Sequence, residues 1–265
     1  MRIAVAATAA FGADVLERLA GSHEVTGLLT RPDAPKGRGQ KLAAPPAKDA
    51  AARLGIPVYQ PERPELPPGF DTPIVVVCAY GLYIPPSLLD QALWLNVHPS
   101  LLPRWRGAAP IERAILAGDE STGVTIHRTV AELDGGPIAA QEAFPLGDLY
   151  AGDVYERCAE IAARLLEGVL ADGPEFEEQS TDGVTYAEKI GPADRELDLT
   201  RPAGELVDRI RGLSPHIGAR AVVDGRPLVI WKARAGDDGT LELLEVQPEG
   251  GRRMQYAYYV RGLRV

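Results

Sequence analysis

Apolar runs of strand length alternate with helically spaced ones through the first two thirds of this 265-residue chain. Ile3-Ala4-Val5-Ala6 reads as a buried strand, residues 13–19 as an amphipathic helix, and residues 25–29 as a second strand. Residues 46–54 predict a helix with proline in its first turn, and Val58-Tyr59 begins a short strand. Residues 74–79 (IVVVCA) are an unbroken, largely β-branched run between turn residues, the pattern of a strand covered on both faces. Residues 94–97 and 124–128 predict further strands with a helix at 109–116 between them, and 141–144 another. Val154, Cys158, Ile161, Leu165 and Val169 recur at helical spacing and mark the buried face of a long helix. This βαβα order predicts an α/β fold, a doubly wound and largely parallel sheet. Such sheets bind ligands beyond the carboxyl ends of their strands.

The pattern changes after Ile190. Gly191-Pro192-Ala193-Asp194 punctuates the chain, and a helix at 203–213 precedes three candidate strands at 220–223, 228–233 and 241–246. The expected organisation is a large domain over 1–190, a linker over 191–200 and a small β-rich domain over 201–265.

Charge narrows the function classes. There are 28 Lys and Arg against 37 Asp and Glu, a net charge of −9. Overall charge therefore does not attract nucleic acid. Locally, however, Arg31, Lys36, Arg38, Lys41 and Lys48 stand against Asp33 alone over 31–48. Two cysteines, Cys78 and Cys158, leave no disulfide framework. Both fall on apolar faces and read as core residues rather than nucleophiles. The longest uncharged run, 72–89, is interrupted by Pro73, Gly81, Pro85 and Pro86, so no membrane helix is expected there. The N-terminal run leads into a charged amphipathic helix rather than a cleavage site, and the expected compartment is the cytoplasm. No dinucleotide fingerprint, P-loop or GxSxG elbow is present.

The candidate chemistry lies in the run from Asn96 to Gly107. Asn96 and His98 are two apart in a strand, so they share a face, and they sit at its carboxyl end. An amide donor beside an imidazole can hold an oxyanion and handle one proton. A second loop, Glu132-Leu133-Asp134-Gly135-Gly136-Pro137, follows the strand at 124–128. From there Asp134 is expected to reach His98 and favour its protonated form.

The run NVHPSLLPRWRGAAPIERAI, with LDGGP placing Asp134 36 residues after His98, resembles the 10-formyltetrahydrofolate-dependent formyltransferases. RPDAPKGRGQKLAAPPAK, VVVCAYGLYIP, TYAEKI, RGLSP and LEVQPEGGRRM extend the resemblance over nearly the whole chain, within the methionyl-tRNA branch. The resemblance implies a Rossmann-like formyltransferase domain followed by an OB-like C-terminal domain. It also implies a reaction: transfer of the formyl group of 10-formyltetrahydrofolate to the α-amine of methionyl-initiator tRNA. Asn96, His98 and Asp134 match the family's catalytic triad, and Ser100, Leu101, Leu102 and Pro103 its folate-contacting segment. Arg31, Lys36, Arg38 and Lys41 match the loop that meets the tRNA. The implied partners are charged initiator tRNA and the folate donor, with no metal, DNA or membrane. The sequence departs at Ala7-Thr8-Ala9-Ala10-Phe11, where the family commonly has Gly-Thr-Pro-Glu-Phe, and at His216, where it commonly has Trp. The tail is also short: about three strands are expected where an OB-fold has about five. A shortened tail leaves room for a smaller amine acceptor, such as an amino sugar nucleotide, on the same chemistry.

Overall fold

A computed structural model of the chain describes residues 1–37, 39–67 and 72–263, with Lys36 described in its backbone alone. Arg38 of the basic segment lies outside the described residues.

The chain begins with β1 (Arg2–Ala7), α1 (Ala10–Ala20) and β2 (Glu24–Leu29), then β3 (Ala34–Lys36), β4 (Lys41–Ala43), α2 (Pro46–Leu54) and β5 (Val58–Tyr59). It continues through β6 (Ile74–Cys78), α3 (Pro86–Leu89), β7 (Leu93–His98), β8 (Arg106–Gly107) and α4 (Pro110–Leu116). β9 (Ser121–Arg128), β10 (Ile138–Pro145) and α5 (Ala151–Asp172) follow, then β11 (Tyr186–Ala187) and α6 (Ala203–Leu213). β12 (Ala219–Val223), β13 (Arg226–Ala235), β14 (Leu241–Pro248), β15 (Met254–Gln255) and α7 (Tyr256–Gly262) complete it.

Seven strands form one sheet in the order β10-β9-β7-β6-β1-β2-β5. β1 pairs parallel with β2 and β6, β6 parallel with β7, and β7 antiparallel with β9. The sheet is thus largely parallel, as its unbroken apolar runs require: every residue of β6 is buried. After β5 the chain crosses back to the other side of β1, which makes β1 and β6 the strands where the winding reverses. Their loops are tied together there: the amides of Thr8 and Ala9 both donate to the Ala79 carbonyl, and Thr8 Oγ1 donates to that of Tyr80. α1 packs on this point through Phe11, Gly12, Val15, Leu16 and Leu19. A Cβ at Gly12 would fall on the Cys78 carbonyl and lie 2.7 Å from the Ala7 methyl, so only glycine lets the helix approach this closely.

The basic segment is not the open loop expected from sequence. β3 and β4 pair antiparallel within it, with Lys36 opposite Lys41. Each strand has three residues, too few for alternation to register.

The structure divides into two compact units: residues 1–106, 123–143 and 156–185, and residues 107–122, 144–155 and 186–265. The second holds an antiparallel sheet in the order β12-β13-β14-β15. Leu206, Ile210 and Leu213 of α6 pack against Ala221, Leu228, Ile230 and Val246 of that sheet. The three expected strands are present, joined by two-residue β15, which is too short to read from sequence. β13 and β14 meet in a tight turn in which the Gly236 amide donates to the Thr240 carbonyl at 2.8 Å. No helix among the described residues is long and apolar enough to cross a membrane.

The close approach at Gly12 yields a paired expectation. Gly12→Ala should destabilise the fold by about 1–3 kcal/mol through overpacking. Gly168 is exposed in α5 and an added Cβ there meets nothing within 4 Å, so Gly168→Ala should stabilise by about 0.5–1 kcal/mol. Urea midpoints moving in opposite directions would bear this out, and a neutral Gly12→Ala would refute the packing argument.

Candidate active site

β7 delivers two polar side chains to the carboxyl end of the sheet. Asn96 lies opposite His127 of β9, and His98 opposite Thr125. Directly opposed residues on paired strands share a face, so the four side chains form one polar patch. Val124 and Ile126, alternating with them, turn to the other face and are fully buried. The loop between β9 and β10 brings in Asp134, whose φ is +48°. Gly136 lets that loop pass: a Cβ there would fall on the carbonyl oxygen of Arg128.

The cluster is nearly dry. The side chains of His98, His127 and Asp134 are 5%, 2% and 11% exposed. Asn96 Nδ2 lies 3.0 Å from His127 Nε2 and 3.2 Å from Asp134 Oδ1. Asp134 Oδ2 lies 3.6 Å from His98 Nδ1, and Oδ1 lies 3.7 Å from His127 Nε2.

Carbonyl partners set the proton on each ring. His98 Nε2 sits 2.8 Å from the Trp105 carbonyl, which can only accept, so Nε2 carries hydrogen and Nδ1 is the nitrogen turned to Asp134. His127 has the opposite arrangement. Its Nδ1 donates to the Arg128 carbonyl at 3.0 Å, leaving Nε2 bare to accept from the Asn96 amide. Burial pushes the His127 pKa down to about 4, against the pull of the Asp134 charge, so its ring is neutral at pH 7. The amide of Asn96 is thereby oriented. Turned over, its oxygen would face a carboxylate and an imidazole lone pair.

The segment after β7 folds inward. Ser100 Oγ donates to the Arg104 carbonyl, and its own carbonyl accepts from Thr125 Oγ1, both at 2.7 Å. Gln141 Nε2 reaches the Leu102 carbonyl at 3.0 Å and Thr125 Oγ1 at 2.8 Å. Ser100 and Leu102 are buried, whereas Leu101 and Pro103 are half-buried. Of the basic residues, Arg31 follows β2 with Nη1 4.0 Å from where a Cβ of Gly81 would lie, beyond the carboxyl end of β6. Lys36 ends β3, and exposed Lys41 starts β4. Lys48 is held by Asp33 at 2.7 Å.

Sequence reading brings Asn96, His98 and Asp134 together but passes over His127. The signal for His127 is the alternation Val-Thr-Ile-His, which puts a histidine on the polar side of a buried strand. Both thiols are buried, and desolvation raises Cys78 well above the ordinary thiol range and Cys158 to about 12, which fits core residues.

The neutral His127 carries a pH signature. Between about pH 6.5 and 4 the unfolded chain binds a proton at this residue that the folded chain does not, so stability should rise with pH across that window. Replacing His127 by Gln should flatten that part of the curve. Urea unfolding of both proteins between pH 4.5 and 7 measures the difference, and parallel curves would contradict a buried neutral imidazole.

A formyl transferase family model matches residues 1–170, and a formyl transferase C-terminal domain model matches 189–238. The methionyl-tRNA formyltransferase of Paracoccus denitrificans is 38% identical over 291 residues, covering 99% of this chain and 98% of that one. Among solved structures, the methionyl-tRNA formyltransferase from Clostridium thermocellum aligns with TM-score 0.66 at 14% identity, over 96% of this chain and 99% of that one. WlaRD, a sugar 3N-formyl transferase solved with dTDP and 5-N-formyl-THF, gives TM-score 0.66 at 15% identity over 89% and 87%. These two structural likenesses are likenesses of fold. Two matched domain models and near-complete coverage of a relative at 38% identity establish membership: the chain belongs to the formyl transferase family.

Proposed function

We propose that this chain transfers the formyl group of 10-formyltetrahydrofolate to the α-amine of methionyl-initiator tRNA in the cytoplasm. The observation that carries this reading is the full-length 38% identity to a methionyl-tRNA formyltransferase. The Asn96–His98–Asp134 cluster supports it at the end of the sheet where ligands bind. A structural relative solved with 5-N-formyl-THF supports the folate donor. In this reading residues 1–190 carry the chemistry, and residues 201–265, after the connection at 191–200, help to receive the acceptor.

The chemistry follows from the hydrogen-bond assignments. The neutral α-amine attacks the formyl carbon, and negative charge develops on the formyl oxygen. Trp105 occupies Nε2 of His98, so Nδ1 is the ring nitrogen through which His98 serves the substrate. Protonated, it donates to the oxyanion while Asp134 balances its charge. Asn96 supplies the second donor, and one of its N–H groups must turn from Asp134 or be shared to do so. Asp134 and His98 then pass the proton from the attacking amine to the departing folate nitrogen. The half-buried Leu101 and Pro103 are the parts of the 100–103 segment open to the folate.

Single replacement of Asn96, His98 or Asp134 by Ala should lower turnover by about 10²-fold or more, as for loss of an oxyanion donor. Near-normal turnover of folded His98→Ala would remove this mechanism. The acceptor is tested by supplying formyl-folate with methionyl-tRNA or with an amino sugar nucleotide. Formylation of the sugar alone would overturn the reading.

Arg31, Lys36, Arg38 and Lys41 would contact tRNA phosphates. Arg31→Ala with Lys41→Ala should raise KM for tRNA and flatten its dependence on salt, because phosphate contacts release counterions. The folate KM should stay near wild type. An unchanged salt slope would assign the hairpin another role.

A further inference from the structure

The stretch following α5 is without assigned function, yet its side chains grip both sides of the cluster. Its first anchor is a bridge in which Ile138 and Glu177 exchange backbone hydrogen bonds at 2.7 and 2.9 Å. Two residues on, Gln179 Nε2 donates to the carbonyls of Asp134 and Gly136, each at 2.7 Å. Gln179 Oε1 accepts from Arg106 through Nη2 at 2.8 Å and Nε at 3.3 Å. Arg106 is buried, and its Nη1 pairs with Glu132 at 2.5 Å, in the same loop as Asp134. One amide thus cross-links a buried guanidinium to the backbone on both sides of Gly135.

At the far end, Thr185 holds the other loop. Its Oγ1 accepts from the Trp105 amide at 2.9 Å, and its carbonyl accepts from the Arg106 amide at 2.9 Å. Trp105, at φ +64°, offers the carbonyl that fixes the His98 ring. The two grips differ in kind. Gln179 sets where the Asp134 backbone stands, and Thr185 sets where the acceptor for His98 Nε2 stands.

We propose that Gln179 and Thr185 are the positioning residues of the active centre, fixing the separation of the Asp134 carboxylate from the His98 ring. The proposal rests on the reading of His98 and Asp134 as the reacting pair. Neither residue need touch substrate. A positively curled backbone at Asp134 and at Trp105 is sparsely populated unless its surroundings hold it, and this segment supplies the hold at both. A displacement near 1 Å in such a pair costs about 10²-fold in rate.

Gln179→Glu tests the first grip, because it keeps the acceptor for Arg106 and replaces the donor facing two carbonyls by a further acceptor. Thr185→Val tests the second, and Thr185→Ser restores it. With formyl-folate and methionyl-tRNA, Gln179→Glu and Thr185→Val should lose about 10- to 100-fold in kcat, with both KM values near wild type. Thr185→Ser should recover most of the loss. Imidazole nitrogen signals of His98 in the ligand-free, 15N-labelled chain give an independent reading. The Nε2 signal should move in Thr185→Val and return in Thr185→Ser. Should Gln179→Glu fail to fold, the Thr185 pair decides. Folded variants with wild-type kcat and unmoved His98 signals would overturn the proposal. So would a loss confined to KM. Failure of the wild-type chain to formylate methionyl-tRNA would sink the functional reading instead, because the ring signals need no substrate.

Discussion

A carboxylate with only a ninth of its surface in water must find donors in the protein, and Asp134 finds them on one strand. Withdrawing an ion from water costs several kcal/mol unless hydrogen bonds and opposite charge answer it. Asn96 gives Asp134 an N–H, and His98 offers the positive charge when Nδ1 is protonated. The rest of the site is what this requirement demands. β7 must end where both side chains face the loop, β9 must register with Asn96 opposite His127, and the loop must turn through positive φ to point the carboxylate back. Gly136 is the steric condition for that turn, and the Gln179 amide is what holds the loop's carbonyls once it is made.

The sheet that carries this site is legible in the sequence because its strands are buried on both faces. Runs such as Ile74–Cys78 leave no polar residue to confuse the reading, and helices such as Pro46–Leu54 and Ala203–Leu213 show one apolar stripe between clear stops. What escapes is short or answered only across space. The strands of the β3–β4 hairpin carry three residues each and β15 two, too few for an alternation to repeat convincingly. Asn96, His98 and Asp134 can be assembled in advance because a strand end, a two-residue spacing and a glycine-rich loop each leave a local mark. Gln179 leaves none. It lies in an irregular stretch, and its meaning depends on three groups far from it in sequence: Arg106, Asp134 and Gly136.

The second unit shows the same economy of short elements around a small core. α6 lays Leu206, Ile210 and Leu213 on the sheet, and a tight turn joins β13 to β14. Leu116 of α4 and Tyr150 pack on the same cluster. The short tail therefore builds its core partly with residues that precede it in sequence, which is how about 65 residues can support a folded sheet without disulfides.

Two histidines share this site, with ring centroids 6.3 Å apart, and their hydrogen bonds divide the work between them. Each gives one N–H to a backbone carbonyl, but by opposite nitrogens: Nδ1 in His127 and Nε2 in His98. His127 then presents a bare Nε2 to an amide donor, which suits a ring that burial keeps neutral. His98 presents Nδ1 to the Asp134 carboxylate, 3.6 Å away. Had both rings carried charge, each would have raised the cost of the other in a dry site. The choice of carbonyl behind each ring, Arg128 for one and Trp105 for the other, is thus what turns opposite nitrogens of two adjacent imidazoles toward a single carboxylate.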